Sequence, residues 1–139
     1  MKKKKAGFTL IELIIVMAII STLLSIVTPT AVNALKRAKA TQVAFNLRNI
    51  STALQIYYLV NDSIADIQTL KNSGYLSGNT ADYSIYDFTT GTEPTNDSTT
   101  LVVVYEGNSV DLNYIRDKVW DAVFEYGDGG KPAVKVFIK

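Results

Sequence analysis

Glu12 is the residue whose chemistry demands an explanation. It is a carboxylate at the fifth position of Phe8–Thr28, a stretch in which 15 of 21 side chains are apolar. Moving a charged side chain from water to the centre of a helix in lipid costs about 2.5–3.5 kcal/mol on insertion scales. Such a group needs a cationic partner or a structural role. Elsewhere the chemistry is sparse. The chain has no cysteine and no histidine, so disulfides, thiol catalysis, histidine acid–base chemistry and the usual zinc sites are excluded. Asp128 with Glu125, Asn96 and Asp97 raises the question of calcium, but the spacing matches no calcium loop. Turn chemistry explains these residues, and no metal or other cofactor is expected. No nucleophile–base pair is recognisable, so an enzyme is not expected either.

The net charge is +1, yet four of the 14 bases are Lys2–Lys5. Without them ten bases face 13 acids, giving −3. A mildly acidic body argues against nucleic acid as the main partner. The eight tyrosines are expected at core edges and interfaces rather than on a stacking platform, because the bases of the C-terminal part are scattered.

The elements that position Glu12 begin with a basic leader and an apolar run. About 20 apolar residues cross a bilayer core as a helix, and the preceding lysines keep the N-terminus cytoplasmic. A conventional signal peptide is the competing explanation, with Val32-Asn33-Ala34 as cleavage site and a soluble secreted binding protein starting at Leu35. The order of residues decides between them. Lys2–Lys5, Ala6-Gly7 and then Phe8-Thr9-Leu10-Ile11-Glu12-Leu13 resembles the class III signal of type IV prepilins and of type II secretion pseudopilins.

That resemblance implies a cut after Gly7 by a prepilin peptidase that also methylates the new N-terminus at Phe8. It implies a structural subunit that polymerises with copies of itself through its apolar helix. Glu12 would then meet the Phe8 amine of a neighbour and select one axial offset. On its position alone, Glu12 can also complement the positive helix N-terminus or pair with its own amine. The implied partners are the peptidase, assembly machinery in the inner membrane, and membrane lipid before assembly. The implied locations are the inner membrane for the precursor and an extracellular filament or periplasmic pseudopilus for the product. A pilus subunit, a major pseudopilin and a minor pilin of a DNA-uptake machine all fit the motif.

Beyond the membrane the pattern continues as an amphipathic helix. Val43, Leu47, Ile50, Leu54 and Tyr57 recur at spacings of four and three. Pro29 interrupts the helix and leaves the Ser25 carbonyl without its donor, so a kink or local opening is expected there. The resemblance makes this stretch one that unwinds on assembly, with Ser21 standing where some relatives have glycine. Thr22, Ser25 and Thr28 are placed to satisfy freed backbone groups.

The expected organisation is a cleaved leader at 1–7, an assembly helix at 8–28, its amphipathic half at 29–60, and an α+β head at 61–139 packed on residues 40–60. Within the head we expect a helix over Ile64–Asn72 capped by Ser63, strands at Tyr83–Phe88 and Leu101–Tyr105, and a helix over Val110–Val119. A hairpin joining Ala122–Tyr126 to Ala133–Ile138 completes a small antiparallel sheet. The fold class is thus α+β: a long N-terminal helix, transmembrane and then amphipathic, against a small antiparallel sheet, a pilin-like lollipop.

Overall fold

The computed structural model describes residues 8–108 and 110–138. In chain order its elements are α1 (Leu10–Asn61), α2 (Ile67–Asn72), β1 (Tyr83–Asp87), β2 (Thr100–Tyr105), α3 (Leu112–Lys118), β3 (Val123–Tyr126) and β4 (Lys131–Phe137). The described chain divides after Leu35 into two compact units.

In the first unit every described residue is exposed. It is the apolar part of α1, long and apolar enough to cross a membrane. Apolar side chains on all sides of a helix mean that lipid or other helices must cover it.

In the second unit the rest of α1 contributes Ala40, Val43, Ala44, Leu47, Ile50 and Leu54 to one buried cluster. These residues recur every three or four positions, so they share a face. The sheet has the order β1-β2-β4-β3 and is antiparallel throughout. Alternation turns Ile85, Leu101, Val103, Val134, Val136 and Val123 into the same cluster. Val102, Val104 and Ala133 face the opposite way, yet they too are buried, under Tyr86, Phe124 and Tyr126. A central strand buried on both faces requires an unbroken apolar run, which is what Leu101–Tyr105 supplies.

Three elements start two or more residues from where they were expected. The first head helix starts at Ile67, because its N-cap is Asp66 rather than Ser63; the Asp66 carboxylate accepts the Thr69 N–H at 2.8 Å. The second short helix is trimmed to Leu112–Lys118, with Asp111 accepting from the Tyr114 N–H at 3.0 Å and Val119 as C-cap. The last strand begins at Lys131 and takes in Pro132. Proline is tolerated there because pairing with β2 stops at Val104–Ala133, leaving Pro132 beyond that ladder. Gly74, at φ 78°, turns the chain after α2 so that Tyr75 and Leu76 both donate to the Leu70 carbonyl.

The Thr-rich stretch after β1 is ordered by one carboxylate. Asp87 Oδ1 accepts from the Thr89 and Thr90 N–H groups at 2.7 and 3.1 Å. Its own N–H and C=O bond to Thr92 and Gly91. The Ser98 hydroxyl, then the Thr90 and Thr89 N–H groups, hold its carboxyl below the usual carboxylate range. From the far side of the loop, Asn96 Oδ1 accepts the Ile64 N–H at 3.2 Å.

Candidate assembly site

Helix α1 begins where it does because of two residues. Thr9 precedes the first helical residue, and Glu12 lies three positions on. The Glu12 Oε2 atom accepts from the Thr9 N–H at 2.8 Å and from the Thr9 hydroxyl at 2.7 Å. In return the Glu12 N–H donates to Thr9 Oγ1 at 3.4 Å. This is a reciprocal capping box, which satisfies otherwise orphaned backbone donors at a helix start. It also places the negative carboxylate at the positive end of the helix dipole. The charge-assisted bonds from Thr9 and the dipole offset part of the cost of carrying a carboxylate into an apolar setting.

Thr9 was not singled out by sequence reasoning, although the Thr-x-x-Glu spacing announces it. The structure brings Glu12 together with Thr9, and the first turn is therefore one role of Glu12 within its own chain. Both of these bonds fall on Oε2. A carboxylate offers about four lone-pair sites, so capping leaves capacity for an ammonium. Phe8, one residue outside the cap, is 83% exposed. Gly7 and the leader at 1–7 lie outside the described residues.

Further along, the polar side chains of the apolar run turn inward on the helix. Ser21 donates to the Met17 carbonyl, Thr22 to Ala18 and Ile19, Ser25 to Thr22, Thr28 to Leu24, and Thr30 to Ile26, at 2.7 to 3.3 Å. Helix α1 continues through Pro29 without a break in its assignment. Pro29 has no N–H for the Ser25 carbonyl. The neighbouring hydroxyls donate to Thr22, Leu24 and Ile26 instead, so none of these bonds replaces the missing one.

The head presents a different surface. Lys131 pairs with Glu106, which also accepts from the Tyr86 hydroxyl at 3.2 Å. That carboxylate raises the Lys131 pKa above its ordinary value. Lys135 lies 3.5 Å from the centroid of the Phe88 ring, a cation–π contact. A recess of about 600 Å³ lies between α2 and the free edge of β1 and is lined by Asp66, Lys71, Thr80, Tyr83 and Glu93 among others. Among the described residues no three acids converge as metal ligands. Asn96 is engaged with Ile64, and Glu125 sits in β3.

Residues 2–28 match the family described as the prokaryotic N-terminal methylation motif, the class III signal of type IV pilins and pseudopilins. No curated protein and no solved structure is matched by the chain.

Proposed function

We propose that this chain is a prepilin-type precursor, cut after Gly7, N-methylated at Phe8 and polymerised through α1 into a pilus or pseudopilus. The observation that carries the reading is the methylation motif at residues 2–28, set on an apolar helix and joined to an α+β head. The motif implies a membrane-anchored precursor, processing by a prepilin peptidase, and assembly into pilus-like filaments. Proteins of this kind are structural, and nothing in the chain would power assembly, so machinery in the inner membrane drives it.

Assembly on this reading is an exchange of environments. Fully burying a large apolar side chain is worth about 1.5–3 kcal/mol, so the run from Phe8 to Val27 does not leave lipid for water. It does move into a bundle of identical helices, where burial is exchanged rather than lost. Lipid gives helices little hydrophobic reason to associate, and dispersed precursors can wait.

Glu12 supplies the register. Once the cut frees the Phe8 amine, the carboxylate of one subunit, held at its helix start by Thr9, pairs with the ammonium of the next. Only one axial offset brings the two charges together. Pro29 and the Ser25 carbonyl it cannot serve mark where the helix opens as the subunit packs.

Intact-mass and N-terminal analysis of the exported protein tests the processing step. N-methylated Phe8 as first residue is expected, whereas Met1 or Leu35 would overturn the proposal. Glu12→Ala tests register: processed but poorly assembled subunits are expected, and normal assembly kinetics would remove Glu12 from the mechanism.

A further inference from the structure

Three bases, Lys36, Arg37 and Lys39, stand at the start of the second unit. They follow the end of the first unit at Leu35 and are the only bases between Phe8 and Ala40. All three are exposed. Among the described residues none of them forms an ion pair with a carboxylate, the two pairs present being Arg116–Asp117 and Lys131–Glu106.

Their surroundings give the cluster a shape. Lys36 and Lys39 are three residues apart in a helix, so they are neighbours on one side of it. Together with Val110 and Asp111 they line a recess of about 350 Å³. The Asp111 carboxylate is committed to capping α3, through the Tyr114 N–H. Arg37 lies over the Tyr114 ring, its guanidinium carbon 5.8 Å from the centroid. The result is an exposed patch with three positive groups and one engaged acid, in the stretch of chain that follows the apolar segment.

We infer that Lys36, Arg37 and Lys39 bind the phosphate headgroups of anionic lipids on the exported face of the membrane, with the Lys36–Lys39 recess receiving the phosphate. This rests on the proposed reading in which residues 8–28 span the membrane. Two features favour a lipid over free phosphate. The patch follows the proposed span in the chain after seven residues, 29–35, that carry no charge; these rise about 10 Å as helix, so the long basic side chains reach headgroup level. Its recess is also open and flanked by apolar Val110, suited to a phosphodiester that carries an apolar body. Each base near an anionic surface strengthens attraction about fivefold.

The consequence concerns processing. The precursor has Lys2–Lys5 on one side of the span and these three bases on the other. Removing the leader leaves the exported-side cluster as the only basic side chains next to the span, with the Phe8 amine alone at its other end. The cut thereby shifts the electrostatic hold of the subunit from the cytoplasmic leaflet to the leaflet it faces on leaving.

Full-length chain reconstituted in vesicles of phosphatidylcholine, with or without phosphatidylglycerol, tests this. The readout is the rate at which a water-soluble amine reagent acylates each lysine, resolved by mass spectrometry. Lys36 and Lys39 are expected to react several-fold more slowly in phosphatidylglycerol vesicles and to recover at high salt, while Lys71 and Lys135 stay unchanged. Arg37→Gln should weaken that protection without altering incorporation into vesicles. Equal rates in the two vesicle types, slowing of all four lysines alike, or protection by inorganic phosphate in phosphatidylcholine vesicles would each overturn the lipid site. Flotation separates the two claims: a chain that fails to float with phosphatidylcholine vesicles refutes the membrane span, whereas a chain that floats but shows no protection refutes only the headgroup contact.

Discussion

Truncating one leucine on either part of α1 should have opposite consequences. Leu47 is fully buried in the cluster that joins the helix to the sheet, whereas Leu13, on the same helix, is 51% exposed. Leu47→Ala removes about three carbons, each worth ~0.8 kcal/mol on burial, and leaves a cavity lined by side chains that cannot fully collapse. The sum is roughly 3–4 kcal/mol. A domain of this size has a total stability of about 5–15 kcal/mol, so the loss is a large fraction of it. At about 4–8 °C per kcal/mol, the head should melt roughly 12–32 °C lower.

The natural probe is Trp120, the single tryptophan, which packs against the core cluster beside Arg48. Thermal unfolding of the full-length chain in detergent micelles, followed by Trp120 fluorescence, gives the midpoint directly. Leu13→Ala should move it by no more than ~2 °C, because the micelle covers that segment in both states. A Leu47→Ala shift as small as that of Leu13→Ala would refute the argument that residues 40–54 are part of the head core rather than an independent helix.

Three further outcomes follow from single contacts. Asp87 has its carboxyl held low in the folded head by the Ser98 hydroxyl and the Thr90 and Thr89 N–H groups. Its contribution is therefore complete above the ordinary carboxylate value of about 3.9 and is lost as pH falls through the lower folded value; denaturant titrations below about pH 4 should show the loss, and Asp87→Asn should flatten it. Asp66, held low by Thr69, adds the same sign. Gly107→Ala places a methyl group into the Tyr105 ring, so the ring must leave its packed position, and near-ultraviolet circular dichroism should report a disordered aromatic environment with a lower melting temperature. Thr9→Val removes the hydroxyl that both donates to Glu12 and accepts from it; losing such a cap costs about 1 kcal/mol, and processed subunits should assemble several-fold more slowly at unchanged cleavage.

How much of this was legible beforehand depends on whether each contact is local. The long helix, its stripe at Val43, Leu47, Ile50 and Leu54, the strand at Leu101–Tyr105 and the final hairpin all follow from periodicity and turn residues within a few positions. The start of α2 does not. Ser63 and Asp66 are both competent caps by type; Asp66 takes the role, while the Ile64 N–H beside Ser63 goes to Asn96, 32 residues away. The bond from Asn46 Nδ2 to the Tyr83 hydroxyl, spanning helix and sheet, is equally non-local. Burial, with that amide partly opposing it, raises the Tyr83 pKa above its ordinary value. At the N-terminus the opposite holds: Thr9 and Glu12 are three residues apart, so the capping box is written in the local Thr-x-x-Glu spacing.

The same locality explains why so short a segment carries the function. Every serine and threonine between Leu10 and Val32 donates its proton to a carbonyl of its own helix. Those hydroxyls ask nothing of whatever surrounds the helix, so the segment presents the same apolar exterior to lipid as to other helices. Two polar features escape this self-sufficiency. One is the Glu12 carboxylate, whose bonds to Thr9 leave lone pairs to spare. The other is the Ser25 carbonyl, which Pro29 cannot serve. On the proposed reading each is a cost in lipid, and each would find a remedy in a bundle of copies, the neighbour's Phe8 amine for the first and a local opening of the helix for the second. On the proposed reading, it is the unmet demand at these two points that distinguishes the assembled state from the dispersed one. A span with Glu12→Gln and Pro29→Ala together should accordingly remain in the membrane, be cleaved normally, and lose the preference to assemble.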